Sequence, residues 1–130
     1  MRLLLDTHVL IWWVTADRRL TKQRRELIAD PENQIAISAV SFWEIAIKKD
    51  LGRLRIDLDE LHAAMKEDGF AEIPVRISQM VALQSLPMHH GDPFDRLLIA
   101  QSITEHRRLV THDATILAYT SVRGFDPLAI

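Results

Sequence analysis

The chain predicts an α/β protein: a three-layer α/β/α domain around a central, mainly parallel sheet. Three observations carry that reading. Short apolar runs of strand length alternate with segments of helical length, which places parallel strands under helices on both faces. Two of those runs end on an aspartate, at "RLLLD" (2–6) and "RRLVTHD" (107–113). The 130 residues suffice for one domain, 1–130, with a proper core.

The elements follow in order. "RLLLD" (2–6) reads as a short buried strand, and "HVLIWWVTA" (8–16) has helical length. "LTKQRRELIADP" (20–31) is a helix with Thr21 as its N-cap and Pro31 past its end. "QIAIS" (34–38) is a second strand. "AVSFWEIAIKKDLG" (39–52) is a mostly apolar helix with Ser41 near its start, Lys48 and Lys49 in its last turns and Gly52 as its stop. "DLDELHAAMKEDG" (57–69) is amphipathic and again closed by glycine. "FAEIPV" (70–75) is a weaker strand whose Pro74 marks an end or an edge. "SQMVALQSL" (78–86) is a helix ended by Pro87. "DPFDRLLIAQSITEH" (92–106) opens with Asp92 as N-cap and Pro93 at the first helical position. "RRLVTHD" (107–113) is a strand, "ATILAYT" (114–120) a further helical turn, and "GFDPLAI" closes the chain.

Composition excludes several chemistries. There is no cysteine, hence no disulfide framework, no thiolate zinc site and no cysteine nucleophile, which suits a reducing cytoplasmic setting. No apolar run reaches membrane-spanning length, and Asp6 and His8 interrupt the apolar N-terminus before it can act as a signal peptide. Net charge is −2, far from that of a nucleic-acid coat protein. Basic residues nevertheless cluster at Arg18, Arg19, Lys22, Arg24 and Arg25, at Lys48, Lys49, Arg53 and Arg55, and at Arg107 and Arg108. Each cluster reads first as a solvated face, but a nuclease needs only a local basic path to an acidic centre.

The acids are the informative residues. Asp6 and Asp113 stand just past strands, at the sheet edge where ligands bind in open α/β folds. Taken singly, each is a turn or cap aspartate. Glu44 lies amid Val40, Phe42, Trp43, Ile45, Ala46 and Ile47. An unpaired buried carboxylate costs several kcal/mol, so Glu44 must pair, with Lys48 one turn on, or face a polar cleft. In "DPFD" the Asp-Pro pair explains Asp92 as a cap. Asp95 then sits near the third helical position, where the helix dipole alone gives it about 0.3–1 kcal/mol. Asp6, Glu44, Asp95 and Asp113 together are a hard-oxygen set of the kind that holds magnesium or manganese, a cation that polarises a phosphodiester and activates water. Spacing leaves it open whether Asp92 or Asp95 reaches the metal. His8, His89, His90 and His112 lack a zinc-binding pattern and read as phosphate contacts or solvated loop residues. Trp12, Trp13 and Trp43 read as core or oligomer-interface residues rather than base-stacking platforms.

"LLLDTHVLIWW", "ISAVSFWEIAIKK", "DPFDRLLIAQ" and "LVTHD", in that order, resemble a PIN-domain ribonuclease, and more closely the VapC-type toxins of bacterial toxin–antitoxin pairs. The likeness runs from Met1 to about Tyr119. It implies a PIN-like fold, cleavage of RNA dependent on Mg2+ or Mn2+, and an acidic set on Asp6, Glu44 and Asp95, with Asp113 the more variable fourth member. Thr7 matches the family's small hydroxyl residue after the first acid. The resemblance further implies a homodimer and a cognate antitoxin protein that inserts into the cleft. A non-catalytic RNA- or protein-binding subunit on the same scaffold is the alternative, and intact acids at all four positions argue against it. A phospho-accepting receiver module fits poorly, since "QIAIS" ends in serine and "LVTHD" offers no lysine. A haloacid-dehalogenase-type phosphatase would want a second aspartate in "DTH".

Overall fold

The computed structural model describes residues 1–130. Its elements are β1 (Arg2–Leu5), α1 (Thr7–Val14), α2 (Lys22–Ala29), β2 (Gln34–Ser38), α3 (Ala39–Asp50), α4 (Leu58–Glu67), β3 (Ala71–Ile73), α5 (Ile77–Gln84), α6 (Pro93–Thr104), β4 (Arg108–Thr111), α7 (Ala114–Leu117) and β5 (Leu128–Ala129). A single turn of 3₁₀ helix, Ala118–Ser121, follows α7. The strands form one sheet in the order β3-β2-β1-β4-β5. Every pairing is parallel.

Two-residue periodicity distributes each central strand between two cores. Leu3 and Leu5 of β1, Ile35 and Ile37 of β2 and Val110 of β4 join one cluster, with Val9, Leu10 and Trp12 of α1, Ile28 of α2 and Leu61 and Met65 of α4. Leu4, Ala36 and Leu109 point the other way, into a cluster with Leu97 to Ala100 of α6, Ile116 of α7 and Tyr119. The middle of the sheet is therefore apolar on both faces, which is why these strands read as continuous apolar runs rather than alternating ones.

Local chemistry sets the element ends much as the sequence indicates. Thr21 accepts from the Arg24 amide and caps α2. Gly52 (φ 72°) and Gly69 (φ 74°) close α3 and α4 in the left-handed region that L-residues avoid. Pro74 follows β3, an edge strand.

The structure adds to the sequence reading at four points. α3 is capped by Ser38, whose Oγ accepts from the Val40 amide at 3.0 Å. Ser41 is instead buried and receives a hydrogen bond from the Thr7 hydroxyl at 2.9 Å. α1 begins at Thr7 rather than His8, because Asp6 serves as its cap. β5 was not expected within "GFDPLAI": it has two residues, directly after Pro127, and pairs Leu128 with Val110 and Ala129 with Thr111. Trp43 is not core, being 54% exposed with its ring edge-on to Phe94 at 4.9 Å.

Candidate active site

A parallel sheet sends every strand toward the same edge, so the helices that follow directly begin there. α1 starts two residues after the end of β1, α3 continues straight from β2, and α7 starts three residues after the end of β4. Asp6 and Asp113 are the residues at two of those turns. β1 and β4 are neighbours, with Leu5 paired to Val110, so the two turns lie side by side.

Asp6 is almost fully buried. Its Oδ1 accepts from the Val9 amide at 2.9 Å, as a helix cap does. Its Oδ2 accepts a very short hydrogen bond from the Thr111 hydroxyl at the end of β4. Burial pushes the Asp6 carboxyl above its ordinary range; those two bonds and His8 partly offset this, and Asp113 adds to it. Asp113 caps α7, its Oδ1 accepting from the Thr115 amide at 2.8 Å and the Thr115 hydroxyl at 2.7 Å. Burial pushes it upward too, but the Thr115 bonds and the charges of His8 and His90 outweigh that and hold it below the usual range.

α6 supplies the aspartate pair, and the two residues do different things. Asp92 accepts from the amides of Phe94 at 2.9 Å and of Asp95 at 3.0 Å, with Pro93 opening the helix. Asp95 makes no such bond. It is largely buried, and its carboxyl is pushed up to about 8, first by burial and then by the charges of Asp92, Glu44, Asp113 and Asp6. Each of those neighbouring charges disfavours ionisation of Asp95.

Glu44 of α3 makes the ion pair that its sequence context offered. Lys48 donates to Oε2 at 2.6 Å, the expected pair one turn on. The second oxygen, Oε1, is buried without any hydrogen-bond partner. A carboxylate oxygen left so costs free energy unless something positive meets it. Asp6, Glu44 and Asp113 thus all act on Asp95 through their charges, and Asp92 does so from its capping position.

No three of the acidic or imidazole side chains are already placed to grip one cation. The reasons are visible in the bonds. Both Asp6 oxygens are occupied, Lys48 draws one Glu44 oxygen away, and Asp95 resists ionising beside so many carboxylates. A divalent cation held here would favour the ionised form of Asp95 and offset the charge of the carboxylates around it. Donors that are all hard oxygens suit magnesium or manganese. The residues present fit such an ion.

Sequence reasoning missed the support around Asp95. His90 Nε2 stands 3.3 Å from Asp95 Oδ2, and His90 Nδ1 lies 2.9 Å from the Tyr119 hydroxyl. Arg96, buried despite its charge, donates to the same hydroxyl at 2.8 Å. Thus His90 is not simply a solvated loop residue. "HH" at 89–90 gave a signal, but Tyr119 and Arg96 gave none beyond an ionisable residue in an apolar run.

The basic clusters also resolve. Arg19 pairs with Asp17 at 2.8 Å and lies 4.9 Å over the Trp12 ring. Arg25 bonds the carbonyls of Trp12 and Trp13. These side chains largely staple α2 to α1. Arg19 nonetheless reaches a cavity of about 250 Å3 lined by Asp6, His8, Trp12, His112 and Asp113. The largest cavity, about 580 Å3, contains none of the four acids. Size is no guide to chemistry here; the small acidic cavity is the one beside the carboxylates. No helix is long and apolar enough to cross a membrane.

Comparison with known proteins adds three kinds of likeness. The sequence profile of the PIN domain matches residues 3–120. Ribonuclease VapC22 of Mycobacterium tuberculosis (strain ATCC 25618 / H37Rv) is 28% identical over 122 residues, covering 92% of this chain and 93% of that protein. In fold, the chain is similar to VapBC2 from Rickettsia felis bound to a promoter DNA fragment, with TM-score 0.70, 15% identity and coverage of 99% and 98%. A toxin–antitoxin complex from Klebsiella pneumoniae gives TM-score 0.63 at 24% identity, covering 98% and 99%. VapBC-5 from Mycobacterium tuberculosis gives 0.66 at 17% identity, covering 99% and 98%.

Proposed function

This chain belongs to the PIN-domain family, and from that premise we propose that it is a divalent-metal-dependent endoribonuclease, the toxin of a type II toxin–antitoxin pair, built as one domain over 1–130. The observation that carries the reading is the carboxylate cluster at the carboxyl edge, with Asp95 pushed up to about 8 and Glu44 Oε1 buried and unpartnered. The relative named as a VapC ribonuclease and the toxin–antitoxin complexes of like fold support it. Asp6, Glu44, Asp95 and Asp113 would hold the ion, Mg2+ or Mn2+. When bound, such an ion polarises a phosphoryl oxygen and lowers the pKa of an attacking water.

The chain's own residues supply the rest. Thr111 and the Val9 amide fix Asp6 in one rotamer, so a ligand set is preorganised on strand and helix ends rather than on mobile loops. Thr7 ties α1 to Ser41 of α3 and keeps the turn after β1 against the helix that carries Glu44. The N-termini of α1, α3 and α7 give the edge a partial positive potential that suits a phosphodiester. The chain has no cysteine and no serine bonded to a histidine, so a Ser–His or Cys–His nucleophile is missing and water is the attacking group in this proposal. Products should carry 5′-phosphate and 3′-hydroxyl ends.

A cognate antitoxin protein, a homodimer and a cytoplasmic location complete the proposal. The test is a manganese titration with a fluorogenic RNA. Cleavage should rise with manganese, stop with chelator and be absent in Asp95→Asn. Binding of the same RNA without cleavage at any metal concentration would favour a non-catalytic binding subunit.

A further inference from the structure

The hydrogen-bond inventory around Tyr119 fixes a proton position near Asp95. Tyr119 is fully buried, and its phenol oxygen has two lone pairs and one proton. Arg96 Nη1 donates to that oxygen at 2.8 Å, and the His90 amide donates at 3.3 Å. Both acceptor sites are then filled. The remaining contact, to His90 Nδ1 at 2.9 Å, must be made by the phenol's own proton. Nδ1 is thereby an acceptor, and in a neutral imidazole the proton resides on Nε2. Nε2 is the atom that faces Asp95 Oδ2 at 3.3 Å.

The arrangement is built rather than incidental. Arg96 Nη1 donates to the Pro87 carbonyl at 2.8 Å as well as to Tyr119, which holds the guanidinium against the phenol. The rings of His89 and His90 both pack edge-on against Tyr119, at 4.7 and 5.4 Å between centroids. The His90 side chain is only 16% exposed. We propose that Arg96 and Tyr119 lock His90 as the Nε2–H tautomer, and that His90 in turn holds Asp95 Oδ2 so that Oδ1 is left for a divalent cation. His90, Tyr119 and Arg96 are positioning residues in this account. It rests on the reading of Asp95 as a metal ligand. Supporting partners of this kind orient a ligand and remove its rotational freedom, and their loss typically lowers metal affinity about 10–100-fold.

Two measurements test it on the full chain. Nitrogen-15 NMR of the metal-free protein should show His90 as Nε2–H in the wild type, with that preference lost in Tyr119→Phe. Calorimetric titration with manganese should show affinity reduced about 10–100-fold in Tyr119→Phe and His90→Ala. His90→Gln, whose amide nitrogen falls near the Nε2 position, should recover most of it, whereas His90→Asn, whose nitrogen falls near Nδ1, should not. The His90 variants alter a partly exposed loop residue and keep the test decisive if Tyr119→Phe fails to fold. An Nδ1–H tautomer in the wild type, or equal manganese affinity in His90→Gln and His90→Asn, would overturn the inference. Failure of the wild type itself to bind manganese would overturn instead the metal reading beneath it, which the NMR measurement does not depend on.

Discussion

Replacing Asp95 by asparagine should stabilise the metal-free protein while abolishing its activity, and the gain should depend on pH in a defined way. The folded-state carboxyl is pushed from 3.8 up to about 8. A group whose folded pKa lies above its unfolded value binds a proton in the folded state that the unfolded chain releases. Stability from this site is therefore greatest below pH 3.8, falls as pH rises toward 8 and levels off beyond it. At pH 7 about three of those units have been spent, which at ~1.4 kcal/mol per unit is a ceiling of about 4 kcal/mol. The true figure is smaller, because the repulsion on Asp95 is shared among the carboxylates around it. Even about 1 kcal/mol shifts Tm by roughly 3–5 °C in a domain of this size. Asparagine is a neutral isostere of the protonated acid and cannot pay this penalty. The assay is thermal unfolding of wild type and Asp95→Asn in chelator from pH 4 to 9. The variant's advantage should be near zero at pH 4 and grow to a plateau above pH 8. Manganese should then stabilise the wild type by mass action and the variant much less. An advantage equal at pH 4 and pH 8.5, or none at all, would refute the electrostatic argument.

Other outcomes follow from the same geometry. Asp92→Ala should cost about 0.5–2 kcal/mol through loss of the α6 cap, Asp92→Ser should recover most of it, and both should retain metal-dependent cleavage when folded, as read by urea unfolding and the fluorogenic assay. Lys48→Met should destabilise the metal-free protein by about 1–3 kcal/mol by leaving Glu44 Oε2 unpaired as well, and manganese should raise its Tm by more than it raises that of the wild type. Asp6→Asn should eliminate cleavage with little loss of metal-free stability; wild-type turnover of this variant in saturating manganese would exclude Asp6 as a ligand. Cleaved RNA should accept a ligase partner at its 5′-phosphate end without prior kinase treatment, and 2′,3′-cyclic phosphate ends would show a 2′-hydroxyl mechanism instead.

The sheet was legible because its strands are apolar on both faces and each is followed by a recognisable helix signal. Asp92 was legible as a cap because Asp-Pro has one strong local meaning, and the amide contacts agree. The acids were legible as chemistry because a carboxylate at Glu44 sits badly in an apolar run, yet the sequence left open whether it pairs with Lys48 or faces a cleft; one oxygen pairs with Lys48 and the other is buried without a partner. Asp95 would have been expected to be nearly neutral for stability from helix position alone. Its cost comes from carboxylates distant in sequence, and only tertiary structure brings those together. Tyr119 and Arg96 were invisible for the same reason: a hydroxyl that sets a histidine's tautomer 29 residues away leaves no local pattern. β5 escaped because two residues after a proline carry no periodicity.

The central claim is that four carboxylates at the carboxyl edge of the sheet hold a divalent cation. Anomalous diffraction from crystals soaked in manganese tests it most directly. The account expects a peak bounded by Asp6, Glu44, Asp95 and Asp113, absent from Asp95→Asn crystals treated identically. A peak elsewhere, or the same peak undiminished in that variant, would contradict it.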